Sequence, residues 1–509
     1  MSKRSTWSRS WIGLAAVSVF VLTGCAAESS SSDDLETTKD DSATIKDEVV
    51  VALAGDIDNF DPHTNQLIIF EFAIRELVFS SLVDYDAELK LQPDLATYEV
   101  NDDATVFTFS LASGAVFHDG TPVNSGSVIS SMERAGTAED SIWSGRLSDV
   151  ASYEAPDEGT VVITLNNPDA TFLAGLASIA IVAPSSFETA TSEPVGSGPY
   201  EFESWTANTE IVLTRFDDYF GEVSPTKTLR MQPITDQQVA INNLYSGSVD
   251  ILAGASAATV SQVDTSRASV VEPVASNSLS LIEFNSSGRL SNPMVRQALA
   301  HALDKDSIRE IAYGGGGSTI WAALPESSWA HAKQSGYEYD LDKAETMLAA
   351  AGESNLEFSL EVPSGFPDAE QIGQVWQASL AEIGVTLNVN VTEISVWLDA
   401  YASRGYDATW NVFNVGADPH SFFDIIMTPH LADDYQNETV SNLVLDATRV
   451  SDEASRAKLY SELQQILADE LPVMIVQSTP IFSITGTKVS GYAVNPLGWA
   501  LLSQVTVAK

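Results

Sequence analysis

The sequence predicts a mixed α/β fold in which short buried strands alternate with capped, amphipathic helices. Apolar runs rich in β-branched residues are too short for helices and are typical of buried strands. Residues that start and stop helices frame the segments between these runs. Hydrophobic residues make up 44% of the 509 residues, which is enough for a sizeable core.

Five segments have the composition of strands. Thr105–Leu111 alternates, so that Phe107, Phe109 and Leu111 share one face. The other four are apolar runs: Val49–Ala54, Val161–Leu165, Ile211–Thr214 and Leu387–Val391. Each is long enough for one strand, and helical patterns lie between them. No repeat of 20–50 residues is visible, so a repeat architecture is not expected.

Three helices have recognisable ends. The first two have expected caps: Asp236, with Gly247 as the stop, and Asn292, with Pro293 at the first helical position. In the third, acidic Asp452 and Glu453 stand at the start, where the helix dipole favours them, and Pro472 closes the helix. In the second of these helices Val295, Leu299 and Leu303 repeat every four residues and form an apolar stripe. After Gly247 we expect another strand, beginning at Val249.

The N-terminus has the pattern of a secretory signal. A basic start is followed by Trp11–Leu22, an uncharged and mostly apolar run that is too short to span a bilayer. The run ends in Leu22-Thr23-Gly24-Cys25, which resembles a bacterial lipobox. We therefore expect a lipoprotein signal peptide over residues 1–25, lipid attachment at Cys25, and a polar, flexible tether over residues 26–47.

The composition excludes several classes of protein. Asp and Glu number 70 against 25 Lys and Arg, and the formal charge of −45 would repel a phosphate backbone, so we expect no nucleic-acid binding. Cys25 is the only cysteine, which excludes a disulfide framework and any site built from several thiolates.

Motifs of enzymes are absent from the sequence. None of the six histidines has a metal-binding spacing, and no Gly-x-Ser-x-Gly elbow occurs. The run Gly314–Gly317 is followed by Ser318-Thr319 without a lysine, so it is not a phosphate-binding loop. We predict no catalytic residues and no cofactor.

Ordered blocks along the chain carry a family resemblance. They are Asp56-Ile57-Asp58-Asn59-Phe60-Asp61-Pro62, Glu76 to Tyr85, Leu91-Gln92-Pro93-Asp94-Leu95-Ala96, Val116 to Val123, Val195-Gly196-Ser197-Gly198-Pro199-Tyr200, Tyr245 to Asp250, and Val295-Arg296-Gln297-Ala298-Leu299. Over residues 48–505 the chain resembles the peptide/nickel family of extracellular solute-binding proteins, the family-5 receptors of ABC importers.

The resemblance implies a two-lobe periplasmic-binding-protein-like fold of type II, of the large class with an extra sub-domain and a hinged cleft. Lobe I would comprise residues 48–80, 195–275 and 480–509, the sub-domain residues 81–194, and lobe II residues 276–479. The ligand would lie between the lobes, and closure would bury it. We expect a monomer outside the cytoplasm, held on the membrane by lipid in the periplasm or on the outer face of the plasma membrane, and docking on an ABC permease with a cytoplasmic ATPase.

The ligand is predicted to be a peptide or a peptide-like solute. Peptide receptors of the family hold the ligand amine with an aspartate shortly before the Asp-Pro of the cleft loop. Here no carboxylate lies between Asp407 and Asp418, and Asn414 is the nearest polar substitute. A dipeptide anchored by its amine is therefore not favoured, whereas a longer peptide can pair through its backbone.

Seven residues lie where the family lines its cleft. Arg146 would replace an arginine that the family has elsewhere, Phe413 matches an aromatic position, and Trp143 matches a tryptophan. The predicted ligand-binding residues are Asn65, Trp143, Arg146, Phe413, Asn414, His430 and Trp499. Two alternatives stay open: a receptor for nickel or another metal chelate, in which His430 would touch the metal, and, from another class, a secreted surface hydrolase or adhesin.

Overall fold

The computed structural model of the protein describes residues 45–65, 67–272, 274–334, 336–427 and 435–509. The expected signal peptide with Cys25, the tether up to residue 44, and His430 lie outside the described residues. Within the described ranges, no helix combines the length and the hydropathy that crossing a bilayer requires.

Strands and helices alternate along the described chain. The strands are β1 (Glu48–Leu53), β2 (Val83–Tyr85), β3 (Leu91–Pro93), β4 (Ala96–Val100), β5 (Val106–Leu111), β6 (Val150–Asp157), β7 (Thr160–Leu165), β8 (Tyr200–Thr206), β9 (Glu210–Arg215), β10 (Thr228–Pro233), β11 (Ile251–Ala255), β12 (Ala268–Val270), β13 (Val274–Phe284), β14 (Glu357–Pro363), β15 (Thr386–Thr392), β16 (Ala408–Asn414), β17 (Val473–Gly486), β18 (Val489–Ser490), β19 (Ala493–Val494), β20 (Ala500–Leu501) and β21 (Thr506–Val507). The helices are α1 (Ile68–Ala73), α2 (Arg75–Val78), α3 (Ser125–Thr137), α4 (Ser144–Leu147), α5 (Phe172–Leu176), α6 (Gln237–Ser246), α7 (Ala257–Val260), α8 (Pro293–His301), α9 (Lys305–Tyr313), α10 (Leu341–Ala351), α11 (Pro367–Glu382), α12 (Ile394–Ser403), α13 (His420–Met427), α14 (Glu438–Thr448) and α15 (Glu453–Glu470), with a short 3-10 helix at Pro184–Ser186.

The predicted helix ends are confirmed by their hydrogen bonds. The side chain of Asn292 accepts a hydrogen bond from the backbone N–H of Met294 at 3.0 Å, and α8 begins at the next residue, a proline. The carboxylate of Asp236 caps α6, which ends at Gly247 with a φ of 77°. At the start of α15, where acidic residues were expected, the side chain of Asp452 also accepts a hydrogen bond from the backbone N–H of Ser455, a cap that was not predicted.

The five predicted strands coincide with β1, β5, β7, β9 and β15. The expected start of β11 at Val249 is wrong by two residues. The carboxylate of Asp250 accepts hydrogen bonds from the backbone N–H of Val50 at 3.0 Å and from Lys46 at 2.7 Å. The side chain of Asp250 therefore hydrogen-bonds to the neighbouring strand β1, and the regular pairing of β11 with β1 begins at Ile251.

One large sheet runs through the molecule in the order β15-β14-β16-β13-β17-β11-β1-β10-β9-β8, with β12 beside β17. Strand β1 is parallel to both β10 and β11, and β14 is parallel to both β15 and β16. Parallel neighbours require crossover connections, and helices supply them, which explains the mixed α/β architecture.

Separate cores divide the protein into two lobes and a further unit. The first lobe packs around the β11 to β8 half of the sheet, with Val51 and Tyr200 fully buried. In the second lobe Trp376 is fully buried, and its indole N–H donates to the carbonyl of Leu299 at 3.1 Å. The third core lies under the four-stranded antiparallel sheet β4-β5-β7-β6, around Phe109. The residue boundaries given above for these units stay a prediction.

Strands β13 and β17 join the two halves of the sheet. They pair from Val274 opposite Ile481 to Glu283 opposite Val473, and their register shifts between Ala275 and Leu279. At this point residues 276–278 of β13 stand opposite a single residue of β17, which is a bulge that bends the pair. We refer to this stretch as the hinge bulge.

Candidate ligand-binding cleft

A cavity of about 630 Å³ lies where the two lobes and the third unit meet. Its walls come from α1, from the segment around α4, from α5, from the loop that joins β16 to α13, and from the chain before β20. The lining residues are Asn65, Glu71, Phe72, Tyr85, Ile142, Trp143, Arg146, Thr171, Ala174, Gly175, Ser178, Asn414, Gly416, Ala417, Asp418, His420, Ser421, Asp424, Leu497 and Trp499. We call this the cleft cavity; its size is typical of a site for a small polar ligand.

The structure brings five of the seven predicted residues to this cavity: Asn65, Trp143, Arg146, Asn414 and Trp499. Phe413 does not line it, because its partly buried side chain packs against the apolar core of the second lobe. His430 lies outside the described residues. Whether these residues contact a ligand stays a prediction.

Asn414 holds the cleft loop in place. Its side-chain oxygen accepts from the N–H of Gly416 at 2.9 Å, and its side-chain amide donates to the carbonyl of Leu497 at 3.2 Å. Both ends of the amide are therefore engaged within the protein. Asn414 therefore has a structural role in the cleft loop, and its contact with a ligand stays a prediction.

Among the described residues, Arg146 is the one arginine that lines the cavity. One guanidinium nitrogen donates to the Thr171 hydroxyl at 3.0 Å and lies 3.4 Å from the carboxylate of Asp169. The Nε atom is buried and has no hydrogen-bond partner among the described residues. The guanidinium lies over Gly175, where an added Cβ would come within 2.8 Å of its central carbon. The glycine thus leaves the space that the arginine occupies.

The two tryptophans are each fixed by a contact with a polar or charged group. The indole N–H of Trp143 donates to the carbonyl of Pro62 at 3.0 Å. Trp499 is 6% exposed, and the guanidinium of Arg75 lies 4.8 Å from its ring centroid, in cation–π geometry. Both side chains are thus held in place at the wall of the cavity.

Carboxylates line the cavity at positions that the sequence did not single out as ligand-binding. Glu71 pairs with the buried Arg75 at 2.8 Å through one oxygen, and its other oxygen is buried without a hydrogen-bond partner among the described residues. Burial raises the pKa of Glu71, while Arg75 acts to lower it. Asp418 is paired with Arg456 at 2.8 Å and caps α13 by accepting from the N–H of His420.

His420 lies at the start of α13 and lines the cavity. Burial lowers its pKa from the ordinary 6.5, although Asp418, Asp424 and Asp169 act in the opposite direction. The ring is therefore mainly neutral at pH 7. Its Nδ1 atom is buried and has no hydrogen-bond partner among the described residues. The described residues contain no group of three histidine, cysteine or carboxylate side chains arranged to hold a metal ion.

Comparisons with known proteins agree with this architecture. The family model for bacterial extracellular solute-binding proteins, family 5 Middle, matches residues 90–430. The chain is 26% identical to heme-binding protein A of Haemophilus influenzae over 484 residues, which cover 86% of this chain and 88% of that protein.

Two solved structures share the fold. One is the periplasmic binding protein DppA from Helicobacter pylori in complex with the peptide STSA, with a TM-score of 0.76 and 24% identity over 91% of this chain and 98% of that chain. The other is NikA from Staphylococcus aureus in complex with Ni(L-His)2, with a TM-score of 0.75 and 19% identity over 90% of this chain and 99% of that chain.

Proposed function

The chain belongs to the bacterial extracellular solute-binding proteins of family 5, and we therefore propose that it captures a peptide or peptide-like solute in the cleft cavity. It would then deliver this solute to the membrane permease of an ABC importer. Members of this family are transport receptors and not enzymes. The hydrolase alternative is therefore excluded, and an adhesin has no support from the family.

The observation that carries the peptide proposal is the mixture of groups around the cleft cavity. Buried atoms of both charge types, Nε of Arg146 and one carboxylate oxygen of Glu71, have no hydrogen-bond partner within the described residues. Buried polar groups are normally hydrogen-bonded, so Arg146 and Glu71 are incompletely paired within the described residues, and a ligand that reaches them on closure would supply a partner. A zwitterionic chain supplies a carboxylate for the arginine and an ammonium for the glutamate.

The aromatic faces support the same ligand class. Trp143 and Trp499 line the cleft cavity and would lie against apolar parts of the solute. DppA, which shares the fold, holds the peptide STSA. Closure of the lobes would be stabilised only by contacts that the ligand makes better in the closed state.

The finer features of the proposal concern the envelope and the assembly. Cys25 would carry the lipid, residues 26–47 would serve as the tether, and the receptor would work as a monomer outside the cytoplasm. The lobes would follow the residue boundaries that the family resemblance implies. Conversion of Cys25 to serine should release the protein from membranes in a fractionation experiment, and retention in the membrane fraction would contradict the anchor.

A metal chelate is the second candidate. The neutral ring of His420, with Nδ1 lacking a partner in the described residues, favours it because imidazole is a good ligand for nickel. NikA, with the same fold, binds Ni(L-His)2. Under this reading His420 or His430 would touch the metal, and the chelator would supply the other ligands.

Native mass spectrometry of protein purified without refolding distinguishes the two candidates, since a peptide or a metal would appear as bound mass. Calorimetry with the tetrapeptide Ser-Thr-Ser-Ala and with Ni(II)–histidine then measures each class directly. Arg146→Met should weaken the tetrapeptide about tenfold or more, since a charge-assisted hydrogen bond contributes about 1.5–3 kcal/mol. Arg449→Met is the matched control, because that arginine is half exposed at the end of α14. Binding of Ni(II)–histidine that depends on His420 or His430, without any peptide binding, would replace the peptide proposal by the chelate.

A further inference from the structure

A second cavity, of about 420 Å³, adjoins the cleft cavity. Most of its wall is carbon. The lining residues are Leu53, Ala54, Ile69, Phe72, Ala73, Ala253, Gly254, Ala255, Ser276, Ser278, Thr479, Pro480, Ile481, Phe482, Ser483, Tyr492, Val494, Leu497, Gly498 and Ala500. We call it the hinge cavity, because residues of the hinge bulge form one of its walls.

The hydroxyl groups in this wall largely satisfy one another. The hydroxyl of Ser276 donates to the carbonyl of Thr479 at 2.8 Å, and the hydroxyls of Ser483 and Tyr492 are 2.9 Å apart. Few polar groups are therefore left to hold water or a polar ligand. A cavity with such walls favours an apolar occupant.

The two cavities share part of their lining. Phe72 and Leu497 line both. Next to Leu497, Gly498 has a φ of 94°, and a Cβ added there would lie 3.3 Å from the ring of Phe72. The glycine thus lets the chain pass close to this ring. A solute in the cleft cavity has the hinge cavity beside it, beyond these two side chains.

We propose that the transported solute is a peptide with a large apolar or aromatic side chain, which enters the hinge cavity while the peptide backbone and charged ends stay in the cleft cavity. This inference rests on the proposed function and adds its substrate class. Both the volume and the apolar lining suit a leucine, phenylalanine or tryptophan side chain. Because the wall includes the hinge bulge, the side chain would contact the segment that joins the lobes.

The test uses tetrapeptides of glycine in which each position in turn carries leucine, phenylalanine or aspartate, with binding to the full chain measured by calorimetry. At one position leucine or phenylalanine should tighten binding about 10- to 200-fold over glycine, which corresponds to burial of one large apolar side chain. Aspartate at that position should give no gain.

Ala253 lines the hinge cavity and not the cleft cavity. A larger side chain at this position would therefore fill the hinge cavity and leave the cleft cavity unchanged. Ala253→Phe should abolish the preference for an apolar side chain and retain binding of tetraglycine, and Ala253→Leu should reduce the preference partly. Ala207→Phe, in the exposed hairpin between β8 and β9, is the matched control. If thermal unfolding shows that Ala253→Phe does not fold, Ala253→Leu and the peptide series with the wild-type protein still test the inference.

Two results would overturn the inference in distinguishable ways. If tetrapeptides bind with no gain from an apolar side chain at any position, or if the filled variants keep the full preference, the hinge cavity is not a subsite and the peptide receptor stands. If no tetrapeptide binds at all, the proposed function fails and the inference falls with it.

Discussion

Replacing Arg456 by methionine removes one partner of a buried ion pair behind the wall of the cleft cavity. Arg456 and Asp418 lie 2.8 Å apart, and their side chains are 7% and 10% exposed. The guanidinium also donates to the hydroxyl of Tyr460 at 3.0 Å and lies 5.1 Å from the ring centroid of Trp329. Methionine keeps most of the apolar stem but leaves the carboxylate of Asp418 buried without its counter-charge.

The expected cost is large because burial removes the solvent that would otherwise screen the remaining charge. Breaking a buried pair by removing one partner typically costs about 3–5 kcal/mol. Asp418 also caps α13 and lines the cleft cavity, so the loop around it should shift. We therefore expect Arg456→Met to lower the free energy of unfolding by about 3 kcal/mol or more and to weaken binding of Ser-Thr-Ser-Ala as well.

Urea unfolding followed by tryptophan fluorescence measures this difference. Arg449→Met is the matched control, because its partner Asp446 lies 3.4 Å away and both side chains are more than half exposed. An exposed pair contributes about 0–1 kcal/mol. The double variant Arg456→Met with Asp418→Asn should recover more than 1 kcal/mol relative to Arg456→Met alone. If Arg456→Met and Arg449→Met unfold within 1 kcal/mol of each other, the reasoning about the buried pair is refuted.

Three further predictions concern Glu283, Gly175 and Asn277. Burial raises the pKa of Glu283 from 4.5 to about 7, so the stability that it contributes is present below pH 4.5 and lost as the pH rises through 7. Glu283→Gln should therefore raise the free energy of unfolding by about 3 kcal/mol at pH 8 and change it little at pH 4. Equal urea midpoints for the variant and the wild type at pH 8 would contradict this. Gly175→Ala should displace the guanidinium of Arg146 and weaken binding of Ser-Thr-Ser-Ala about tenfold, with little change in the urea midpoint. An unchanged dissociation constant would show that the arginine has no part in binding. The side chain of Asn277 donates to the carbonyl of Gly416 at 2.6 Å, so Asn277→Ala should cost about 1–3 kcal/mol in urea unfolding, and a loss below 0.5 kcal/mol would show that this tie does not stabilise the fold.

Much of the fold could be predicted because its signals are local. Asn292 before Pro293, and Asp236 ahead of Gly247, fix helix ends through hydrogen bonds within a few residues. Phe107 and Phe109 alternate in a short strand, and the structure buries both. In these places local chemistry and the global fold agree, so a pattern in one segment was sufficient.

The strands that join the lobes were not predicted. Strand β13 contains Ser276, Asn277 and Ser278, and β17 contains Gln477, Ser478 and Thr479, which interrupt any apolar alternation. Their pairing joins segments about 200 residues apart and is maintained partly by hydroxyl contacts such as that from Ser478 to the carbonyl of Ser276 at 2.6 Å. Because these polar groups are hydrogen-bonded to residues far away in the sequence, neither segment has a periodic pattern that would predict a strand.

The lining of the cleft cavity was predicted in part. Family position led to Trp143, Arg146 and Trp499, which line the cleft cavity. Family position could not show that Phe413 packs into the second lobe, since one step along a strand reverses the side on which a side chain lies. Glu71 was missed because acidic residues are so frequent in this chain that no single one stands out; its unpartnered oxygen is visible only in three dimensions.

The central claim, a two-lobed receptor that closes on a peptide without changing it, is tested most directly by small-angle X-ray scattering with and without a saturating tetrapeptide that carries a leucine side chain. Closure of the cleft predicts a smaller radius of gyration with the peptide, and mass spectrometry of the recovered peptide should show its original mass. Superimposable scattering profiles at saturation, or a cleaved peptide, would contradict the claim.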